Sequence, residues 1–178
     1  MELLECIKER RSVRKFKLDK VSNETLAEIA EAAKYAPSWK NTQVTRYYAI
    51  SGEEMKNKIV ECVPDFNKEA TSTAPVVMVS TVIKMRSGYN REGETDTPKG
   101  KGWQMYDCGL SNMLFCLKAK ELGLGTVIMG YYDEEKVSQA IGVPETEEVI
   151  SIIALGYPDE EPVMPKRKGA EVILNIVD

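Results

Sequence analysis

At 178 residues and 20.0 kDa the chain has the length of about one domain, enough to bury about 70 % of its unfolded surface without disulfide or metal staples. Its 43 % hydrophobic and 29 % charged residues, with twelve Gly and eight Pro, exclude a disordered, collagen-like or low-complexity chain, and a formal charge of -4 removes nucleic acid and anionic membrane as default partners. There is no His, which eliminates the commonest general base and metal ligand and every Ser-His-Asp or Cys-His dyad, so any chemistry must be borrowed from a bound group.

In chain order, Ser22 is placed to cap a helix whose apolar face is Leu26, Ile29, Ala30 and Ala33, closed by Pro37. Arg46 to Ile50 reads as a strand. Ser51-Gly52-Glu53-Glu54 fits a capping box that opens a helix through Met55, Ile59 and Val63, and the β-branched run from Pro75 to Ile83 reads as a fully buried strand. A polar break follows from Arg86 to Gly102, with four Gly, one Pro and seven charges, which marks a lid or binding loop. From Trp103 to Leu122 the pattern is helical, and between Met105 and Ala119 it is apolar on almost every side, interrupted mainly by Asp107, Ser111, Asn112 and Lys118. Such a helix needs cover all round, so one face is expected on the sheet and the other against a partner subunit. Thr126 to Met129 reads as a strand. Asp133 caps a helix with Val137, Ala140 and Ile141 inward that ends at Gly142 and Pro144, Val149 to Leu155 is the last core strand, and Val172 to Val177 is a candidate further strand. Interleaved helices and strands give an α/β or α+β fold with one sheet flanked by helices.

Cys6, Cys62, Cys108 and Cys116 lack CxxC spacing, which favours free thiols in a reducing cytoplasm and offers no metal site. No apolar run reaches the length of a membrane span, and the acidic start, Met1-Glu2-Leu3-Leu4-Glu5, is unlike a signal peptide. Gly123-Leu124-Gly125 begins like a dinucleotide fingerprint, but Ile128 stands at the third glycine position and the motif follows a helix. No P-loop, EF-hand or HExxH pattern is present.

Two basic clusters remain, Arg10-Arg11-Ser12-Val13-Arg14-Lys15 and Lys166-Arg167-Lys168. Each alone reads as a solvated charge run; together, two guanidinium forks and a hydroxyl at alternate positions suit a phosphate monoester. The segment from Ala36 to Gln43 is a helix stop and turn in its plain reading. In its sharper reading Ser38, Asn41 and Gln43 read the edge of a flat heterocycle while Trp39 covers one face.

These features coincide in an order that resembles the FMN-dependent nitroreductase family: Arg10 to Phe16, Pro37-Ser38 with Asn41-x-Gln43, Leu122-Gly123-Leu124-Gly125-Thr126 to Gly130, and Lys166-Arg167-Lys168. The resemblance spans nearly the whole chain and implies a single domain over 1–178. It implies an α+β fold with a central, mainly antiparallel sheet flanked by helices, in an intertwined homodimer with FMN at the interface. It also implies that Arg10, Ser12 and Arg11 hold the FMN phosphate with Lys166, Arg167 or Lys168 closing over it. A basic Arg14 would approach the pyrimidine edge of the flavin and stabilise its reduced, negatively charged state. Pro37, Ser38, Trp39 and Asn41 would reach the FMN of the opposite subunit, and backbone groups of Ile128, Met129 and Gly130 would lie near the isoalloxazine. The implied activity is ping-pong oxidoreduction from NAD(P)H to nitroaromatics, quinones or related small acceptors, with no catalytic acid or base from the protein. Val44-Thr45 stands where the family often has Pro-Trp, and 86–102 is the variable lid or substrate loop. A flavin-binding sensor or storage protein without turnover, and a binder of another phosphate ligand, are the alternatives.

Overall fold

The computed structural model describes residues 2–177. Four strands, β1 (Thr45–Ile50), β2 (Val76–Ile83), β3 (Gly125–Met129) and β4 (Glu147–Gly156), form one sheet in the order β1-β2-β4-β3, antiparallel at every pairing. Around it lie α1 (Leu3–Glu9), α2 (Asn23–Ala33), α3 (Glu53–Val60), α4 (Asp65–Thr73), α5 (Gly102–Glu121), α6 (Glu134–Ile141) and the short α7 (Ala170–Ile173). The α+β arrangement expected from the sequence is present.

The alternation of strand side chains divides the core in two. Val77, Val79, Ile152 and Ala154 face Ile59, Val63, Ala70 and Val137 on the side of α3, α4 and α6, whereas Val76, Met78, Ile153 and Leu155 face Ile29, Ala33, Phe115 and Ala119 on the side of α2 and α5. Both faces of the sheet are therefore covered, which is why β2 is buried almost from end to end and is apolar apart from Ser80 and Thr81. Burying each such aliphatic or aromatic side chain contributes about 1.5 to 3 kcal/mol.

Local signals place the helix starts where short side chains can cap them. Ser22 Oγ accepts the Thr25 N–H at 3.1 Å and Asp133 Oδ1 accepts the Lys136 N–H at 3.2 Å. The capping box read at Ser51 does not form: the N-cap of α3 is Gly52 and no side chain caps it. That helix also stops at Val60, and Pro64 opens the separate α4. The candidate strand at Val172 to Val177 is not one; the chain closes a helical turn there instead, with Leu174 N–H donating to Ala170 O at 2.9 Å.

On its buried face α5 carries Gln104, Asp107, Ser111 and Asn112. Asn112 Nδ2 donates to Ser80 Oγ and Ser151 Oγ at 3.2 Å each, its Oδ1 accepts the Tyr47 hydroxyl at 3.0 Å, and Tyr47 also meets Ser111 Oγ at 2.9 Å. These side chains satisfy one another, as buried polar groups must. The opposite face is apolar and open, with Met105, Tyr106 and Met113 45 %, 59 % and 49 % exposed.

Candidate functional site

The first cluster lies at the β3 edge of the sheet. After α1 the chain runs beside β3: Ser12 bridges Thr126, Val13 N–H donates to Thr126 O at 3.0 Å, and Lys17 N–H donates to Tyr157 O at 2.9 Å. Val13 and Phe16 are buried by this pairing, which leaves Ser12 half-buried and Arg14 exposed. A Cβ at Gly125 would lie 2.6 Å from Val13 Cγ2, so glycine is what lets the segment lie this close.

A cleft of about 360 Å³ occupies the other edge of the molecule, and here one of about 600 Å³ is lined by Arg10, Arg11, Lys120, Gly123, Gly125 and Thr126 together with the carboxylates of Glu9, Glu160 and Glu161. Glu9 is paired with Lys120 at 3.3 Å, and Glu160 accepts the Arg14 N–H at 2.5 Å. Arg11 is turned back on α1, donating to Lys8 O and Arg10 O, while Arg14 Nη1 donates to Ser12 O at 3.3 Å. Arg10 has no side-chain hydrogen bond or ion pair among the described residues, and it lies near enough to Cys116 to oppose the upward shift that burial imposes on that thiol. A guanidinium with no other partner, half-buried beside two glycines, is a donor set that fits a phosphate monoester.

β3 is an edge strand, and the paired N-terminal segment covers only its start. Because Thr126 presents its backbone to Val13, strand alternation turns the N–H and C=O of Ile128 to the same open side and those of Met129 toward β4. The Ile128 side chain is 48 % exposed, Met129 is buried, and Gly130 has open space where a side chain would be. A flat ring could meet unpaired backbone groups here.

The second cluster, Pro37 to Gln43, sits across the sheet beside β1. Its ledge is a turn of 3-10 helix over Trp39–Asn41, and Lys40, Asn41 and Gln43 have φ of 46°, 55° and 48°. Left-handed conformations at non-glycine residues cost on the order of 1 to 2 kcal/mol each, so the surroundings must hold them. Ser38 Oγ accepts the Gln43 N–H at 2.9 Å, Arg46 Nη1 donates to Gln43 O at 2.8 Å, and Asp107 Oδ2 accepts the Trp39 N–H at 2.9 Å. Trp39 is packed on Trp103, ring centroids 4.8 Å apart, so within this chain its ring is covered by a neighbour. The smaller cleft opens between this ledge and the ends of α2 and β1.

The 86–102 segment is folded onto that ledge as a small hairpin. Tyr89 pairs with Thr95, Asn90 Oδ1 accepts the N–H groups of Glu92 and Glu94, and Lys40 forms an ion pair with Asp96. Gly88, at φ 83°, leaves room for Gly100 O, which a Cβ would approach to 2.4 Å. Lys166, Arg167 and Lys168 are exposed in the C-terminal tail and do not line the cleft of Arg10. Nothing in the sequence marks Asp107, Ser87 and Trp103 as holding the ledge, because their partners lie 20 to 68 residues away in the chain.

Thus Arg10, Ser12, Arg14 and Ile128 to Gly130 are gathered at one edge strand, and Pro37, Ser38, Trp39 and Asn41 at the other. Three strand spacings, about 14 Å, separate the edges.

The Nitroreductase family model matches residues 7–157. A protein from Thermus thermophilus named NADH dehydrogenase is 30 % identical over 178 residues, covering 85 % of this chain and 84 % of its own. An NADPH-flavin oxidoreductase from Vibrio harveyi is 25 % identical, covering 97 % of this chain and 72 % of its own. A crystal structure from Exiguobacterium sibiricum, in complex with FMN, has the same fold, with a TM-score of 0.87 at 22 % identity over 99 % of this chain and 98 % of that one.

Proposed function

The chain belongs to the nitroreductase family, and from that premise we propose that it is an FMN-dependent NAD(P)H oxidoreductase acting on nitroaromatics, quinones or related small acceptors. When bound, FMN supplies the redox chemistry, taking a hydride equivalent from NAD(P)H and passing electrons to the acceptor. The residues bind and orient. Arg10 and Ser12 hold the phosphate, and Lys166, Arg167 or Lys168, exposed in the tail and outside the cleft in this structure, closes over it when FMN binds. Arg14 offers positive charge to the pyrimidine edge, and the outward backbone of Ile128 with the bare Gly130 meets the ring system. No protein acid or base is needed, in keeping with a chain that contains no His. Donor and acceptor occupy one position in turn, which gives ping-pong kinetics.

The working unit is a homodimer. The observation that carries this is the division of the site between opposite edges of one sheet, β3 with the phosphate cleft and β1 with the Pro37 to Asn41 ledge. A second copy joins the two, and the open apolar face of α5 is the surface available for it. Four free thiols, all buried, support work in the reducing cytoplasm.

The test is acid release and chromatography of the ligand from purified protein, followed by anaerobic titration with NADH or NADPH. Released FMN, loss of the yellow absorbance on adding donor and its return on adding a quinone are expected. A protein that retains FMN but is not reduced would be a binder without turnover; one that retains no flavin would overturn the assignment.

A further inference from the structure

Asp107 is 3 % exposed, and its Oδ2 is shared by two segments that belong to different parts of the proposed site. It accepts the backbone N–H of Trp39 at 2.9 Å, at the entry to the ledge, and the hydroxyl of Ser87, itself fully buried, at the entry to the 86–102 loop. A buried carboxylate oxygen persists where hydrogen bonds replace water, so both segments are drawn to the same point on α5.

Above that point the ledge and the loop are joined again. Trp39 packs on Trp103, whose Nε1 donates to Thr97 Oγ1 at 3.0 Å, and Lys40 pairs with Asp96. Lys40 and Asn41 follow Trp39 directly and Gln43 comes after Thr42, all three in left-handed conformations that survive only when their surroundings over-determine them. The anchored Trp39 N–H is the fixed end of that run.

We propose that Asp107 is a positioning residue that holds the cofactor ledge and the acceptor loop in a single setting, so that order in the loop and affinity for FMN rise and fall together. The inference rests on the reading of Pro37 to Asn41 as part of the FMN site. It assigns to the loop a part in retaining the cofactor besides shaping the space for the acceptor.

Trp39 and Trp103 are the two tryptophans of the chain, so intrinsic emission reports directly on the contact between ledge and loop. Arg91, Lys99 and Lys101 place trypsin sites within the loop. The experiment compares wild type with Asp107→Ala, Ser87→Ala and Asp107→Asn, reading tryptophan emission and loop cleavage in the apoprotein and FMN affinity by fluorescence quenching. Ser87→Ala removes a hydroxyl on the loop side alone and keeps the test open if Asp107→Ala fails to fold.

We expect Ser87→Ala and Asp107→Ala to red-shift the emission, speed loop cleavage and weaken FMN binding by about tenfold, as loss of a hydrogen bond to a carboxylate implies. Asp107→Asn, which keeps an oxygen acceptor at the same place, should restore most of all three. Faster loop cleavage in Ser87→Ala with FMN affinity unchanged would overturn the coupling, as would an Asp107→Ala apoprotein whose emission and cleavage match wild type. Failure of the wild-type chain to bind FMN would instead remove the cofactor reading, and the apoprotein measurements would still decide whether Asp107 joins ledge and loop.

Discussion

The two edges of the sheet are built by different means. At the β3 edge the site rests on regular backbone pairing and a glycine: the segment around Ser12 and Val13 lies along the strand, and the functional groups are charges and unpaired amides. At the β1 edge almost nothing is regular. The ledge depends on left-handed residues, a buried carboxylate and two indoles packed at a tilt. The first edge should tolerate changes in its loops but not in its charges, whereas the second should be sensitive to single side chains that never touch a ligand.

The harshest way to break this comparison is to keep the two edges from meeting. Met113 stands half-exposed on the outer face of α5, so Met113→Glu places a solvated carboxylate on a lone protomer but a buried, unpaired one in a homodimer, at a cost of several kcal/mol. The expected outcome by light scattering and flavin absorbance is a folded monomer that has lost its FMN. A folded monomer that stays yellow would mean that one chain completes the site unaided.

Removing one charge at the β3 edge should have the next largest effect. Arg10→Ala is expected to weaken FMN binding about tenfold to a hundredfold, the equivalent of roughly 1.5 to 3 kcal/mol for a charge-assisted hydrogen bond, while Lys17→Ala on an exposed position leaves it unchanged. Equal retention in the two variants, measured by equilibrium dialysis, would remove the phosphate assignment. Arg14→Met sharpens the same edge: phosphate affinity should be largely kept while the flavin midpoint potential falls by on the order of 30 mV. A potential that does not move would mean that Arg14 points elsewhere.

The smallest effect belongs to the core between the edges. Burial raises the thiols of Cys108 and Cys116 above their ordinary value of 9.0, and burial likewise raises Tyr47 and Tyr132 above 10.0. Above pH 9 the unfolded chain releases protons that the native one keeps, so stability should decline with rising pH, gently at first and further beyond pH 10. Urea midpoints at pH 7 and pH 10 would check this, and a higher midpoint at pH 10 would contradict it.

How far the sequence could be read follows the same division. Ser22 and Asp133 announce their helices because a cap and its target are three residues apart. The β3-edge residues were legible as a motif for a similar reason, since Ser12 and Arg14 alternate along one short stretch. α1 and α4 escaped notice because each is short, seven and nine residues, and buries only one or two of them. Val172 to Val177 looked like a strand by composition, but a strand needs an edge to join, and the local helical bond at Ala170 and Leu174 formed instead. Asp107 was visible only as an interruption in an apolar helix, since nothing in its neighbourhood reveals that Trp39 and Ser87 will donate to it.

The polar cluster of Tyr47, Ser80, Ser111, Asn112 and Ser151 has a bearing on α5 that its hydrogen bonds alone do not convey. A rod greasy on both sides could be spun about its long axis with little change in contact, like a key without teeth. Asn112 supplies the tooth: turn the helix by one residue, about 100°, and its amide loses three partners at once in a place that water does not reach. Only one azimuth is therefore open to the helix, and it is the one that turns Tyr106 and Met113 outward.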